Sequence, residues 1–195
     1  MVSITRSQRE LFDSLASEFL DTYPVGRTTI AVDGAKGTRR FANGLAKRLG
    51  KGNHAVFRAS IDRFYRPRAQ RLVLGADDDT THYENSFDYA LMRRVLIEPF
   101  HLGGSAGFVT SAFDEPRDVP KIMKFKTGPQ DATLIIDGEY LNRPELRELW
   151  SFTIWLESDG DLSVGQRTYR AESNPRDGAD VTIDNSDAEH PTRVL

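Results

Sequence analysis

A short glycine-containing turn carries the first residues whose types and spacing could do chemistry. The residues concerned are Gly34, Lys36, Gly37, Thr38 and Arg39. The turn follows a β-branched run over residues 28–32 and precedes apolar residues at helical spacing. Such a turn offers backbone amides and cationic side chains at a helix N-terminus, where a phosphate group can bind. The alternative is a strand-to-helix turn that binds no ligand.

The turn departs from the complete phosphate-binding motif, G-x-x-x-x-G-K-S/T. In that motif the amides cradle phosphates, the lysine reaches the transferred phosphate and the hydroxyl holds magnesium. Here Gly34 and Gly37 are three positions apart instead of five, so two residues are missing. Thr38 stands where the lysine belongs, and Arg39 stands where the hydroxyl residue belongs. We expect looser phosphate binding, through the cationic side chains of the turn.

Two aspartates follow predicted strands further along the chain. Asp137 ends the most apolar run, residues 132–136. An apolar strand ending in an acid is typical of the carboxylate that organises magnesium in phosphoryl transfer, and Glu139 is the weaker alternative to Asp137. Asp62 follows the predicted strand 54–60. Taken alone, Asp62 is best interpreted as a helix or loop cap.

Apolar spacing predicts the elements that position these residues. Four helices are predicted from this spacing. The first begins after Ser7, its predicted N-cap, and the second begins after the glycine-containing turn. The third covers 87–96 and ends before Pro99, and the fourth covers 144–150. Further strands are predicted over 108–113, 121–126, 152–156 and 181–183, and residues 64–83 are interpreted as polar and irregular. Alternating strands and helices predict an α/β fold with a mostly parallel sheet, whose ligands bind at the carboxyl ends of the strands.

Composition narrows the class of protein. The chain has 195 residues, a formal net charge of −3 and no cysteine, so disulfides and thiolate zinc sites are excluded. No stretch approaches the roughly 20 apolar residues of a membrane span, and residues 1–9 contain no apolar signal core. Because the net charge is negative, no basic field would attract nucleic acid or a membrane surface. We therefore expect a cytoplasmic protein that binds neither nucleic acid nor membrane. Homo-oligomerisation is left open.

Six segments together resemble one family. They are residues 28–42, 59–68, 82–89, 134–150, 165–172 and 179–187. Over roughly residues 28–194 the chain resembles the uridine kinase-like P-loop kinases, the group of nucleoside kinases and phosphoribulokinases. The resemblance implies one P-loop kinase-like domain over 1–195, and the helical spacing after Ser7 predicts its leading helix, 1–22. It also implies the three-layer α/β/α P-loop NTPase fold.

The resemblance implies a role for each matching residue, with ATP and Mg²⁺ as cofactors. Asp62 would be the base that activates an acceptor hydroxyl, and Asp137 would organise the metal. The nucleotide would be bound by Gly34, Lys36, Gly37, Thr38, Arg39 and Asn185. The acceptor, a small nucleoside-like molecule, would be bound by Tyr65, Arg66, Tyr83, Phe87, Asp88 and Arg167. The alternative for the segment 82–89 is that Asp88 caps a helix and Phe87 belongs to the core.

The region 157–165 is where relatives carry a helical lid with phosphate-clamping arginines. Here that region is short and acidic, the wrong charge for the task. The leading hypothesis is therefore ATP-dependent phosphorylation of a nucleoside or similar small hydroxyl compound. The alternative is a catalytically impaired pseudokinase that binds a nucleotide or nucleoside or acts as a partner protein. A scaffold without any ligand is a third, weaker hypothesis.

Overall fold

Strands and helices alternate along the chain as predicted. The computed structural model describes residues 4–75 and 78–194. The helices are α1 (Arg6–Thr22), α2 (Thr38–Leu49), α3 (Arg68–Leu74), α4 (Asp79–Asn85), α5 (Tyr89–Met92), α6 (Glu98–Leu102) and α7 (Val164–Ser173). The strands are β1 (Arg27–Asp33), β2 (Ala55–Ser60), β3 (Phe113–Asp114), β4 (Val119–Pro120), β5 (Ala132–Gly138), β6 (Phe152–Glu157), β7 (Val181–Asp184) and β8 (Thr192–Val194).

The central sheet is mostly parallel. In the described part of the chain it contains six strands in the order β2-β5-β1-β6-β7-β8. Neighbouring strands are parallel except β7 and β8, which are antiparallel. Ser60 pairs with Asp137, and Asp33 pairs with Gly138. The register therefore brings the polar ends of β1, β2 and β5 to one edge of the sheet.

Each face of the sheet carries its own apolar core. On one face, α1 and α2 pack on β-strand side chains such as Ile30 and Ile135. On the other face, α4, the segment α5–α6 and α7 pack on Ala31, Leu134 and Ile136. Successive strand residues point to opposite faces, so apolar runs without alternation are what a sheet covered on both sides requires. The fold is thus the predicted three-layer α/β/α arrangement.

The segment 64–83 is more regular than predicted. Helices α3 and α4 occupy much of it, and residues 76–77 of the segment lie outside the described residues. Asp78 caps α4 by accepting a hydrogen bond from the amide of Thr81, 2.9 Å away. The polar composition hid these helices because only two of their side chains, Thr81 and Tyr83 in α4, are buried.

The helix predicted to end before Pro99 continues to Leu102. A π turn over Arg93–Ile97 links α5 to α6, and Pro99 lies in the first turn of α6. Proline is tolerated inside this helix because the carbonyl oxygen of Val95, four residues earlier, accepts from the amide of Val109 over 2.8 Å instead. The prediction that the helix stops at Pro99 is therefore wrong.

Three further local predictions differ from the structure. The sequence predicts a helix over 144–150, but these residues, which the structure describes throughout, form only a 3-10 turn at Arg147–Leu149. The strands predicted over 108–113 and 121–126 reduce to the short pair β3–β4 and one bridge, since Ile122 and Phe125 are exposed and have no core to join. The N-cap of α1 is Thr5, which forms a capping box with Gln8.

Candidate active site

The turn between β1 and α2 is shaped by two close approaches. Gly37 has a φ of 79°, in the left-handed region, and directly precedes the 12-residue helix α2. A Cβ on Gly37 would lie 2.6 Å from Nδ2 of Asn185, and a Cβ on Gly34 would lie 2.7 Å from the carbonyl oxygen of Leu156. Glycine is required at both positions by contact. The N-terminal amides of α2 consequently face the carboxyl edge of the sheet, where they can bind an anion.

Asp62 is presented by a single 3-10 turn, Ile61–Phe64, that follows β2. Ile61 and Phe64 are buried and anchor the turn, which leaves the intervening Asp62 partly exposed. The Arg39 guanidinium donates a hydrogen bond to Oδ2 of Asp62 over 2.7 Å. Asp62 is therefore part of an ion pair with Arg39 and does not cap a helix end, which is the alternative interpretation of it.

Asp137 lies deeper, at the end of β5, with 2% of its surface exposed. The Arg58 guanidinium donates hydrogen bonds to Oδ1 of Asp137 and, over 2.7 Å, to the carbonyl oxygen of Ile135. Nε of Arg39 lies 4.0 Å from the other carboxylate oxygen of Asp137. Burial raises the pKa of the Asp137 carboxyl, and the two guanidinium groups offset part of that effect.

One open cleft of about 680 Å³ joins these groups. Of the residues predicted from sequence, the structure brings together along this cleft Gly34, Lys36, Gly37, Thr38, Arg39, Asp62, Tyr65, Phe87 and Asp137. Phe87 is 2% exposed and belongs to the core, which is the alternative considered for it. Its ring centroid lies 4.7 Å from that of Tyr65, whose partly exposed ring gives the cleft an aromatic surface. The cleft thus combines cationic groups, carboxylates and an aromatic surface, which suits a phosphate-bearing ligand with a planar part.

Other predicted acceptor residues lie outside the described lining of the cleft. Tyr83 is 3% exposed and donates its hydroxyl hydrogen bond to Oε2 of Glu172 over 2.8 Å. Its position contradicts the expectation that its ring stacks on a ligand, because the ring packs edge-on against Tyr140 in the core. Asp88 accepts from the amide of Leu91 over 2.8 Å and caps α5, which is the alternative considered for it.

The two predicted arginines bind the protein's own backbone. Arg66 donates to the carbonyl oxygen of Asn85 over 3.3 Å. Arg167, in α7, donates to the carbonyl oxygen of Leu162. Neither arginine is in the described lining of the cleft. Each stabilises a loop, and their predicted contact with an acceptor stays a prediction.

Asn185 lies on the far side of the turn. Its amide group packs beside Gly37, and its backbone amide donates to the carbonyl oxygen of Glu157 over 2.9 Å. It lines a second, smaller cavity of about 200 Å³ between α1, α2 and the segment 185–191, together with Phe12 and Phe41. The cavity adjoins the turn, so Asn185 remains a candidate for contact with the non-phosphate part of a nucleotide.

The short acidic segment 157–163 contacts the turn. Lys36 is exposed, and its Nζ lies 3.5 Å from the carbonyl oxygen of Asp159. Ser163 then caps α7 by accepting from the amide of Gln166 over 3.2 Å. The acidic segment therefore holds the lysine of the turn from outside, instead of supplying arginines to the cleft.

Sequence reasoning missed two participants in the site. Arg58 secures Asp137, and its signal was a single charged residue inside an apolar strand, which usually has a specific partner. His82 lines the cleft, with Nε2 3.8 Å from Oε2 of Glu139. No local pattern marks His82, because Glu139 is 57 positions away and meets it only through the fold.

Asp33, at the end of β1, serves the architecture. It is fully buried, and the Tyr169 hydroxyl and the Asn142 amide both donate to its Oδ2. Burial raises its pKa to about 6, and the hydrogen bonds from Tyr169 and Asn142 oppose that shift. Asp33 therefore links β1 to α7 and to the segment after β5.

The residues present fit a phosphate group better than they fit Mg²⁺. The turn offers helix N-terminal amides with Lys36, Arg39 and Arg40 around them. For the metal, the expected hydroxyl is replaced by Arg39, and Asp137 is already held by guanidinium groups. Across residues 4–75 and 78–194 no group of three or more His, Asp or Glu side chains could hold a metal ion. The residues at this site therefore do not fit the Mg²⁺ ion that the resemblance implies.

Comparison with solved structures identifies the fold. The chain is similar to a "possible uridine kinase" from Bacillus stearothermophilus, with a TM-score of 0.78 and 21% identity over 90% of this chain and 98% of that one. The chain has the fold of the P-loop kinases. A "putative fructose transport system kinase" from Silicibacter sp. TM1040 shares this P-loop kinase fold, with a TM-score of 0.62 and 21% identity over 92% of this chain and 86% of that one.

More distant similarity points the same way. D-glycerate 3-kinase from Cryptococcus neoformans matches with a TM-score of 0.50 and 10% identity over 90% of this chain and 82% of that one. No protein-family model and no curated protein matches the chain. Within the described residues, no helix of this P-loop kinase fold is long and apolar enough to cross a membrane.

Proposed function

We propose that this chain is a uridine kinase-like phosphotransferase that moves a phosphoryl group from ATP to a nucleoside or similar small hydroxyl compound. The observation that carries the proposal is that Asp62 and the N-terminus of α2 line the same cleft. A phosphate held at the turn and an acceptor hydroxyl at Asp62 would lie next to each other. Proximity of this kind is the main contribution that a protein makes to phosphoryl transfer.

Each group in the cleft has a distinct task in this proposal. Asp62 accepts the proton of the acceptor hydroxyl as that oxygen attacks the phosphorus. Lys36, Arg39 and Arg40 balance the charge that spreads over the phosphate oxygens. The partly exposed ring of Tyr65, backed by the buried ring of Phe87, holds the planar part of the acceptor by stacking. Burial raises the pKa of Tyr65, so its hydroxyl stays protonated and can donate a hydrogen bond.

A second candidate is a catalytically impaired protein that binds a nucleotide or nucleoside. It is favoured by the 2.7 Å pair between Arg39 and Asp62, which occupies the proposed base. The lysine expected after Gly37 is also replaced, by Thr38. Under this candidate the cleft retains its ligand but the acceptor is not phosphorylated.

Release of ADP from ATP with a panel of nucleosides separates the two candidates. The wild type is compared with Asp62→Asn, and Asp21→Asn on the exposed face of α1 is the matched control. We expect nucleoside-dependent turnover that falls about 100-fold or more in Asp62→Asn, the range for loss of a general base, and is unchanged in Asp21→Asn. Absence of turnover with every acceptor, alongside measurable nucleotide binding, would favour the impaired protein.

A further inference from the structure

Arg39 occupies an unusual place in the cleft. Its guanidinium lies between two acids, 2.7 Å from Oδ2 of Asp62 and 4.0 Å from Oδ2 of Asp137. It is the second residue of α2 and stands where the complete motif has its metal-binding hydroxyl. A cationic side chain therefore sits among the groups that would otherwise surround a divalent cation.

The charges around Arg39 are already balanced. Asp62 and Asp137 contribute two negative charges, and Arg39 and Arg58 contribute two positive charges. Oδ2 of Asp62 and Oδ1 of Asp137 are each already in an ion pair with an arginine. A divalent cation placed between the acids would therefore lie next to two guanidinium groups, whose positive charges oppose its binding.

The Arg39 guanidinium retains capacity for a ligand. It has five N–H donors in a planar fork, and its side chain is 56% exposed toward the cleft. One described hydrogen bond, to Asp62, uses this capacity. Guanidinium groups bind phosphate oxygens in pairs and carry a permanent charge. Arg39 can therefore contact a phosphate at the turn while it stays attached to Asp62.

We infer that Arg39 takes the place of the divalent cation, so that the cleft binds the phosphates of a nucleotide without a metal. This inference rests on the proposed phosphate site at the turn. It assigns Arg39 as the residue that determines metal dependence. Binding of the nucleotide is then at least as strong without Mg²⁺ as with it, because the metal competes with Arg39 for the same phosphate oxygens.

Calorimetric titration with ADP, in EDTA and separately in saturating MgCl₂, tests the inference. The variants are Arg39→Thr, which restores the hydroxyl of the motif, and Arg40→Thr, which removes a positive charge from the same helical turn. For the wild type we expect ADP to bind in EDTA with an affinity equal to or higher than that in MgCl₂. The affinity of Arg39→Thr for ADP in EDTA should be about tenfold or more lower than that of the wild type, as expected for loss of one charge-assisted contact. In MgCl₂ the variant should regain affinity for ADP.

Arg40→Thr is the matched control because Arg40 pairs with Glu189 and not with the two acids. It should weaken ADP binding without introducing any response to MgCl₂. Mn²⁺ titration followed by electron paramagnetic resonance gives a second reading without nucleotide. Arg39→Thr should bind Mn²⁺ more tightly than the wild type does, since removal of the guanidinium frees Asp62 and Asp137.

The outcomes separate the inference from the function on which it rests. Wild-type binding of ADP that appears only with MgCl₂ would overturn the inference and leave the phosphate site standing. An Arg39→Thr variant that binds ADP like the wild type in both buffers would also overturn it. Absence of ADP and ATP binding in both buffers would overturn the phosphate site itself, and the inference with it.

Discussion

The amide Nδ2 of Asn185 stands 2.6 Å from the point where a Cβ on Gly37 would lie. Asn185 follows β7 and Gly37 precedes α2, so the turn between β1 and α2 lies close against the C-terminal part of the sheet. The turn is therefore shaped from outside as well as by its own glycines.

Gly37→Ala should disrupt the turn. It combines a left-handed φ of 79° with the clash against Asn185, and we expect a loss of about 1–3 kcal/mol in the free energy of unfolding, together with weaker ADP binding. Gly52→Ala is the matched control, because Gly52 has a φ of 80° with nothing within 4 Å of its Cβ. Chemical denaturation measures the free energy of unfolding of the two variants. Equal losses in the two variants would show that the Asn185 contact has no effect.

Arg58 should be needed to keep Asp137 ionised inside the protein. Arg58→Met leaves the buried carboxylate with only the more distant Arg39, and we expect a loss of about 2–4 kcal/mol in the free energy of unfolding at neutral pH. The pKa of Asp137, already raised by burial, rises further, so the loss should shrink as the pH falls and the carboxyl becomes neutral.

The double variant Arg58→Met with Asp137→Asn tests this cause. It should recover much of the stability, because the unpaired charge is gone. Urea denaturation over a range of pH provides the measurement. A double variant as unstable as Arg58→Met would show that Arg58 acts by packing alone.

Asp33 should make stability depend on pH. Its pKa is raised to about 6 in the folded protein from 3.8. Below pH 3.8 both states hold the proton, but as the pH rises toward 6 the unfolded state releases it first, so stability falls over this window. The shift corresponds to about 3 kcal/mol.

Asp33→Asn should remove that dependence while keeping acceptance of the hydrogen bonds from Tyr169 and Asn142. The variant should match the wild type near pH 4 and exceed it in stability above pH 6. Thermal unfolding followed by circular dichroism compares the two. Parallel curves for wild type and variant across this window would contradict the burial effect on Asp33.

Asp88 should affect stability and not ligand binding. It caps α5 through the amide of Leu91, so Asp88→Ala should cost about 1 kcal/mol in the free energy of unfolding, whereas Asp88→Asn, also a good cap, should cost little. The proposed turnover assay supplies the second reading. A KM for the acceptor that rises in Asp88→Asn, with stability unchanged, would instead restore the predicted contact with a sugar hydroxyl.

Much of the scaffold could be predicted from local pattern. The runs 28–32, 132–136 and 152–156 are short and apolar, and each became a central strand. Such runs predict buried parallel strands because both of their faces are covered. The polar helices α3 and α4 could not be predicted in this way, because α3 buries no side chain and α4 is held by the Asp78 cap and by buried Thr81 and Tyr83.

The aspartates at the strand ends, the glycine turn and the missing lysine can all be recognised in the sequence, because each depends on residues that are neighbours along the chain. Three features cannot be recognised in this way: the pairing of Arg58 with Asp137, the burial of Tyr83, and the position of Arg39 between two acids. These contacts join residues of separate elements, and the sheet register and helix packing set their distances. Pattern along the chain thus determined where charged groups gather, and packing determined which charges neutralise one another and which remain available to a ligand.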